Sequence, residues 1–198
     1  MKKAVLATKN KGKLKELKEL LKDLNLEIIA LDEFSDKIGE IIEDGKSFFE
    51  NAMKKAKIVA EKTGLLAIAD DSGLEVDALN GKPDIYSARF AGENATDEEN
   101  NQKLLNELKD IPLEKRTGRF KCVIVAYRPD GKWISVEGTC EGKIALAPKG
   151  EHGFGYDPIF IPEGYDRTMA ELTSEEKNKI SHRGDALRRL KEKISELL

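Results

Sequence analysis

In the first seventy residues, three short apolar runs at 4–7, 26–31 and 65–69 alternate with two stretches that repeat at helical spacing. Runs this brief and this apolar read as buried strands. Between the first two, Leu14, Leu17, Leu21 and Leu24 recur on one helical face. Between the second and third, a polar loop ends near Gly45; Ser47 then serves as N-cap and Glu50, three residues on, as its capping-box partner. Phe49, Ala52, Ala56 and Val59 form the apolar stripe of the helix they open, and Gly64 closes it. Residues 70–92 are rich in Asp, Gly and Ser and read as an irregular functional loop with short extended pieces. Thr96 and Glu99 make a second capping box for a helix reaching about Lys109. Beyond it, β-rich runs at 120–127 and 132–141 flank Pro129-Asp130-Gly131, a hairpin signal. A Gly-rich loop at 149–156 precedes a strand at 159–161, and Ala186, Leu187, Leu190, Ile194 and Leu197 mark a final helix. Early alternation followed by a hairpin predicts an α/β fold, a mixed sheet flanked by helices, in a single domain over residues 1–198.

Charge narrows the class of partner. The 34 basic and 37 acidic residues nearly cancel, giving a net charge of -3, whereas a general nucleic-acid binder carries a basic excess. A small anionic ligand remains compatible, because a local cluster of lysines suffices to hold one. The two cysteines, Cys122 and Cys140, read as reduced and buried. No apolar stretch approaches the roughly 20 residues of a membrane span, and the opening run is too short for a signal peptide. The expectation is a soluble cytoplasmic protein that binds neither membrane nor nucleic acid.

Four segments carry candidate chemistry. Thr8-Lys9-Asn10-Lys11-Gly12-Lys13 runs from a strand end into a helix start, where unpaired backbone N–H groups and the helix dipole favour an anion. Its alternative reading is an ordinary turn with a solvated lysine face. Asp70-Asp71-Ser72-Gly73 places adjacent carboxylates after a buried strand, a conflict that a hard divalent ion such as magnesium resolves. Glu43 offers a further carboxylate, and Lys55 could reach a phosphate oxygen. Here the alternative is a turn capped by the aspartates. In Gly153-Phe154-Gly155-Tyr156-Asp157-Pro158, glycines would admit a flat ligand for Phe154 to stack on, and Asp157 would accept from ring N–H groups; a tight turn with core aromatics is the competing view. Finally, residues 177–184, from Lys177 through His182 and Arg183 to Gly184, would open the last helix, where Arg183 presents a donor fork that suits a carbonyl oxygen or a phosphate; the alternative makes Ser181 an N-cap with His182 and Arg183 solvated in the first turn. Two histidines in the whole chain make a zinc site improbable.

Taken in order, T-x-N-x-x-K, A-D-D-S-G-L, G-F-G-Y-D-P and I-S-H-R-G-x-A-L resemble the inosine triphosphate pyrophosphatase family, as do Phe48-Phe49-Glu50-Asn51-Ala52 and Ile85-Tyr86-Ser87-Ala88-Arg89. Each motif alone is weak; four in order, over nearly the whole chain, are a specific signal. The resemblance implies a long mixed sheet, two lobes with a nucleotide cleft between them, a homodimer, and magnesium-dependent conversion of non-standard purine triphosphates to monophosphate and pyrophosphate. It assigns Thr8, Lys9, Asn10, Lys11, Gly12, Lys13 and Lys55 to the triphosphate, with Ser72 beside the phosphates. Glu43 and Asp71 become magnesium ligands, with Asp71 also the water-activating base. Phe154, Gly155, Tyr156, Asp157, Lys177, His182 and Arg183 become the base-recognition set.

Rejection of adenosine, though not of guanosine, which shares the C6 oxygen, follows from one atom. Inosine and xanthosine carry an oxygen at C6 where adenosine carries an amino group. Donors aimed there from His182 or Arg183 would meet another donor in adenosine, at about 1–3 kcal/mol for each unmet buried group. Two alternatives are weaker. A Maf-like pyrophosphatase would not explain residues 154–157 together with 181–183. A regulatory nucleotide-binding module would leave paired carboxylates beside a triphosphate without a bridging metal. No G-x-G-x-x-G follows the first strand, so a Rossmann redox enzyme is poorly supported.

Overall fold

The computed structural model describes residues 2–198. Its strands are β1 (Lys2–Leu6), β2 (Leu26–Ala30), β3 (Leu66–Val76), β4 (Thr117–Tyr127), β5 (Trp133–Ile144) and β6 (Phe160–Pro162). The helices are α1 (Lys11–Leu21), the short α2 (Ser35–Ile38), α3 (Phe48–Thr63), α4 (Asp97–Glu107), α5 (Ser174–Ile180) and α6 (His182–Lys193). The sheet order is β2-β1-β3-β4-β5-β6. Strand β1 is parallel to both its neighbours, with Val5 opposite Ile29 and Ala67, while β5 and β6 are antiparallel. The fold is therefore α/β with a mixed sheet, as the sequence pattern predicts.

Local chemistry explains most element ends. Asn10 caps α1 by accepting from the Lys13 backbone N–H at 3.0 Å. Ser47 caps α3 through the Glu50 N–H, and Gly64 ends that helix in the left-handed region at φ 70°. Thr96 and Glu99 complete a reciprocal capping box at α4. Between β4 and β5 the turn is closed by Arg128 N–H donating to the Lys132 carbonyl at 2.8 Å, with Gly131 at φ 89°.

Two expectations need correction. Residues 70–76 are not loop: β3 runs unbroken through Asp70-Asp71-Ser72-Gly73 to Val76. Aspartate and glycine are poor strand formers, but propensity yields where side chains find partners, and those of Asp70 and Asp71 do so. Residues 177–184 do not open one helix either. Helix α5 starts earlier, behind a Thr173–Glu176 capping box; Ser181 then turns extended (φ -69°, ψ 156°) before α6 begins at His182.

The chain divides into two compact units, one comprising residues up to Asp71, Cys122–Gly138 and Arg183–Leu198, the other Ser72–Lys121 and Thr139–His182. In the first unit Leu6, Leu17, Leu21, Ile68, Ile124, Leu187 and Leu190 form a fully buried aliphatic core. In the second, Leu74, Leu104, Leu108, Ile144, Ile159 and Phe160 do the same. Cys122 and Cys140 are buried free thiols. No helix among the described residues is long and apolar enough to cross a membrane.

Candidate active site

The first unit gathers the expected phosphate and metal residues around the middle of β3. Thr8 is buried just after β1 and its hydroxyl accepts from the Asn10 N–H at 3.2 Å, which shapes the turn into α1. Lys9 and Lys11 are exposed, and Gly12 and Lys13 lie partly buried in the first turn. The ammonium of Lys13 reaches Asp70 Oδ2 at 3.2 Å. Lys55, on α3, donates to the Asp70 carbonyl at 2.6 Å and pairs with the Glu43 carboxylate.

Asp70 and Asp71 are neighbours with opposite surroundings, because successive strand residues face opposite sides. Asp70 is fully buried. Arg183 Nη2 and Nε lie 3.1 and 3.3 Å from its Oδ2, and Arg183 Nη1 lies 2.5 Å from Glu16 Oε2. Burial pushes the Asp70 carboxyl up, but Lys13, Arg183 and Lys55 together overcome it and hold it well below the usual range. For Asp71 burial wins: aided by the like charge of Glu43, it outweighs Lys55, Lys13 and the Asn51 hydrogen bond, and the carboxyl is pushed up to about 6. One aspartate is thus locked as an anion while the other is poised near neutrality.

Sequence spacing alone does not single out Asn51 or Glu16. Asn51 is buried on α3 and donates to Asp71 Oδ2 at 3.0 Å. Its signal is a polar residue one turn ahead of Lys55 on a stripe that buries Ala52, Ala56 and Val59. Glu16 lies one turn after Lys13 on α1, but its partner is Arg183, 167 residues away in sequence.

The second unit builds an aromatic and ionic site around residues 153–157. Asp157 Oδ2 accepts from the Phe154 N–H at 3.0 Å and from Lys177 at 2.5 Å, and both ionic partners are buried. The Lys177 ammonium also sits 4.7 Å from the centre of the Phe154 ring. Gly153 has φ 73°, and a Cβ there would collide with the Asp157 carboxylate, so the turn requires glycine. Helix α4 brackets the loop from the other side: Asp97 accepts from the Gly155 N–H at 2.8 Å and Asn101 donates to the Gly155 carbonyl at 3.1 Å. Tyr156 donates to the Ser87 carbonyl at 2.6 Å. His182 stacks on Phe120, with ring centres 4.7 Å apart and planes 15° from parallel. Ser72 follows Asp71 on β3, in the second unit.

The structure therefore brings Thr8, Asn10, Lys13, Glu43, Lys55, Asp71 and Arg183 into one unit, and Phe154 to Asp157, Lys177 and His182 into the other. Arg183, expected with the base-recognition residues, has its guanidinium on Asp70 and Glu16. Among the described residues, no group of three or more His, Cys, Asp and Glu side chains is placed to close a metal cage.

The Ham1 family profile matches residues 4–193. A Desulforamulus reducens protein named dITP/XTP pyrophosphatase is 54% identical over 195 residues, covering 98% of this chain and 96% of its own. A Bacillus subtilis protein of the same name is 52% identical over 192 residues, covering 96% of each. The solved structure of a HAM1 protein from Coxiella burnetii superposes with a TM-score of 0.88 at 46% identity, covering 99% of this chain and 100% of that one.

Proposed function

This chain belongs to the Ham1 family, and from that premise we propose that it hydrolyses non-standard purine nucleoside triphosphates (those of inosine, deoxyinosine and xanthosine) to the monophosphate and pyrophosphate, cleansing the nucleotide pool. The observation that carries this reading is the unlike pair on β3. Asp70 is held anionic by Lys13 and Arg183, and beside it Asp71 is pushed up to about 6. A general base works best when its pKa lies near the working pH.

The cofactor in this reading is magnesium. Glu43 and Asp71 fit it: they are hard oxygen donors, close enough for Glu43 to raise Asp71, and only two in number. Magnesium is characteristically held by one or two carboxylates, with water and phosphate oxygens completing its shell. Bound there, it supplies charge neutralisation at the phosphates.

This chain's residues do the remainder. In this reading the N-terminal turn of α1, with Thr8, Lys9, Asn10, Lys11, Gly12 and Lys13, receives the triphosphate, joined by Lys55, with Ser72 beside the phosphates. Asp71 takes a proton from water as the water oxygen bonds to the α-phosphorus. The bond to the bridging oxygen breaks, and pyrophosphate leaves with its electron pair. Positioning and charge, rather than covalent help, do most of the work in such a transfer. The second unit reads the base. Phe154 offers a flat face, Asp157 accepts from ring N–H groups, and Lys177 and His182 supply donors for the C6 oxygen. The reading extends to a homodimer working in the cytoplasm, without nucleic acid or membrane.

The test is a panel of purine and pyrimidine triphosphates with magnesium, scoring pyrophosphate against orthophosphate. Rapid pyrophosphate release from the 6-oxo purines inosine and xanthosine is expected, with slow turnover of the four common nucleotides. Equal rates on adenosine triphosphate would remove the base assignment, and orthophosphate as the product would remove the reaction.

A further inference from the structure

We propose that Asn51 is a positioning residue that joins the Asp71 carboxylate to the backbone behind Glu43, so that the two proposed magnesium ligands are set in one arrangement; the role rests on the hydrolase reading above. Asn51 is 1% exposed, and its side chain makes a hydrogen bond at each end. At one end its Oδ1 accepts from the Gly45 backbone N–H at 2.8 Å. At the other its Nδ2 donates to Asp71 Oδ2 at 3.0 Å.

The partners in these two bonds fix the amide's orientation. A backbone N–H can only donate, so the atom facing Gly45 must be the amide oxygen. The amide nitrogen is then obliged to face Asp71, and a carboxylate is the partner it requires. The bond to Oδ2 orients the Asp71 carboxylate and favours Oδ1 for chemistry at this residue.

Gly45 shows that the loop end of the clamp is built for contact. A Cβ on residue 45 would lie 2.6 Å from Asn51 Oδ1 and 3.0 Å from the Asn51 nitrogen, so any larger residue would push the loop away. Glu43 stands two residues before this glycine, and its carboxylate pairs with Lys55, whose ammonium also donates to the Asp70 carbonyl next to Asp71. Like charges repel, so the loop carrying Glu43 and the strand carrying Asp71 stay together only if other groups tie the segments. Lys55 is one such tie, and the buried Asn51 amide, bonded to both segments, is a second. Residues that orient metal-binding side chains in this way are commonly worth 10–100-fold in metal affinity or activity.

The experiment compares Asn51→Ala, the isosteric Asn51→Asp and Gly45→Ala with the wild-type protein. Three readouts apply: thermal unfolding by circular dichroism, Mn²⁺ binding to the substrate-free protein by electron paramagnetic resonance, and kcat and KM on inosine triphosphate. Asn51→Asp keeps the acceptor for Gly45 but turns a carboxylate towards Asp71. All three variants are expected to lose about 10–100-fold in kcat or Mn²⁺ affinity while KM moves less than about threefold, a split that general unfolding would not give. Should Asn51→Ala fail to fold, Asn51→Asp, which fills the same volume, decides the matter alone. Folded Asn51 variants with Mn²⁺ affinity and kcat within about threefold of wild type would overturn the proposal. If the wild-type protein released no pyrophosphate from any triphosphate, the hydrolase reading would fail, and the Mn²⁺ measurement would still judge Asn51.

Discussion

Asp70 and Asp71 show how far two identical neighbouring residues can be driven apart by what each one faces. Asp70 is fully buried among Lys13, Arg183 and the Lys55 ammonium at its carbonyl, so removing its charge strands those cations. Breaking a buried ion pair from one side costs about 3–5 kcal/mol, and Asp70→Asn is expected to lower stability by that amount in urea unfolding. A change below 1 kcal/mol would mean that its charge is not structurally required. Asp71 behaves in the opposite sense. Its folded pKa of about 6 lies above the ordinary aspartate value of 3.8, so its ionisation costs stability as pH rises through that window. Asp71→Asn, measured with chelator present, is therefore expected to be more stable than wild type above pH 6. The gain is on the order of 2–3 kcal/mol, fading towards pH 4, and pyrophosphate release should be abolished. A variant that retained most of its turnover would exclude Asp71 as the base. In the wild type the acid limb of kcat/KM should fall near pH 6 at low magnesium. It should move to lower pH as magnesium rises, because a bound cation favours the carboxylate. Movement to higher pH would contradict the ligand role of Asp71.

At the scale of elements, legibility followed the range of the chemistry. The Ser47 cap, the Gly64 stop and the Thr96–Glu99 box lie within a few residues of the ends they define, and all three were readable. Strand β3 was not readable beyond Ala69. The partners that let Asp70 and Asp71 stay extended come from residues 13, 51, 55 and 183. Helix α5 escaped for another reason: it buries Lys177 and Asn178 rather than an apolar stripe, so hydrophobic periodicity cannot see it, although its Thr173–Glu176 capping box stood in the sequence. The same distinction holds in the site. The carboxylate pair and the glycine-aromatic loop announced themselves by composition, whereas Asn51, Glu16 and the α4 bracket on Gly155 depend on tertiary neighbours. That loop gives the element-scale prediction. Gly153→Ala places a Cβ in a left-handed conformation and against Asp157, and such strain costs about 1–2 kcal/mol. An increase in KM for inosine triphosphate of about tenfold, with kcat within about threefold, is expected from steady-state kinetics. A fall in kcat alone would place this loop in the chemistry instead of in base binding.

Across the whole molecule the ionisable groups of the two compact units differ in kind, and the proposed function gives each a different task. The first unit sets Lys13, Lys55 and Arg183 among Glu16, Glu43, Asp70 and Asp71, a concentration of charge suited to a polyphosphate and a divalent ion. The second sets one buried pair, Lys177 with Asp157, against the Phe154 ring, which suits a flat, polar-edged, nearly neutral group. Every nucleotide carries the same triphosphate, so losses in the first unit should be indifferent to the base. Lys13→Ala is expected to lower kcat/KM for inosine and adenosine triphosphates by the same factor, leaving their ratio unchanged. Asp157→Asn weakens the hold on Lys177 and on the Phe154 backbone at once. Because an unmet buried donor costs about 1–3 kcal/mol, the preference for the 6-oxo base should then collapse by about tenfold or more, with adenosine triphosphate turnover little affected. Competition assays with both nucleotides in one reaction measure that ratio directly. If Lys13→Ala shifted it, or if Asp157→Asn slowed both substrates alike, the division of labour between charge in one unit and base reading in the other would not hold.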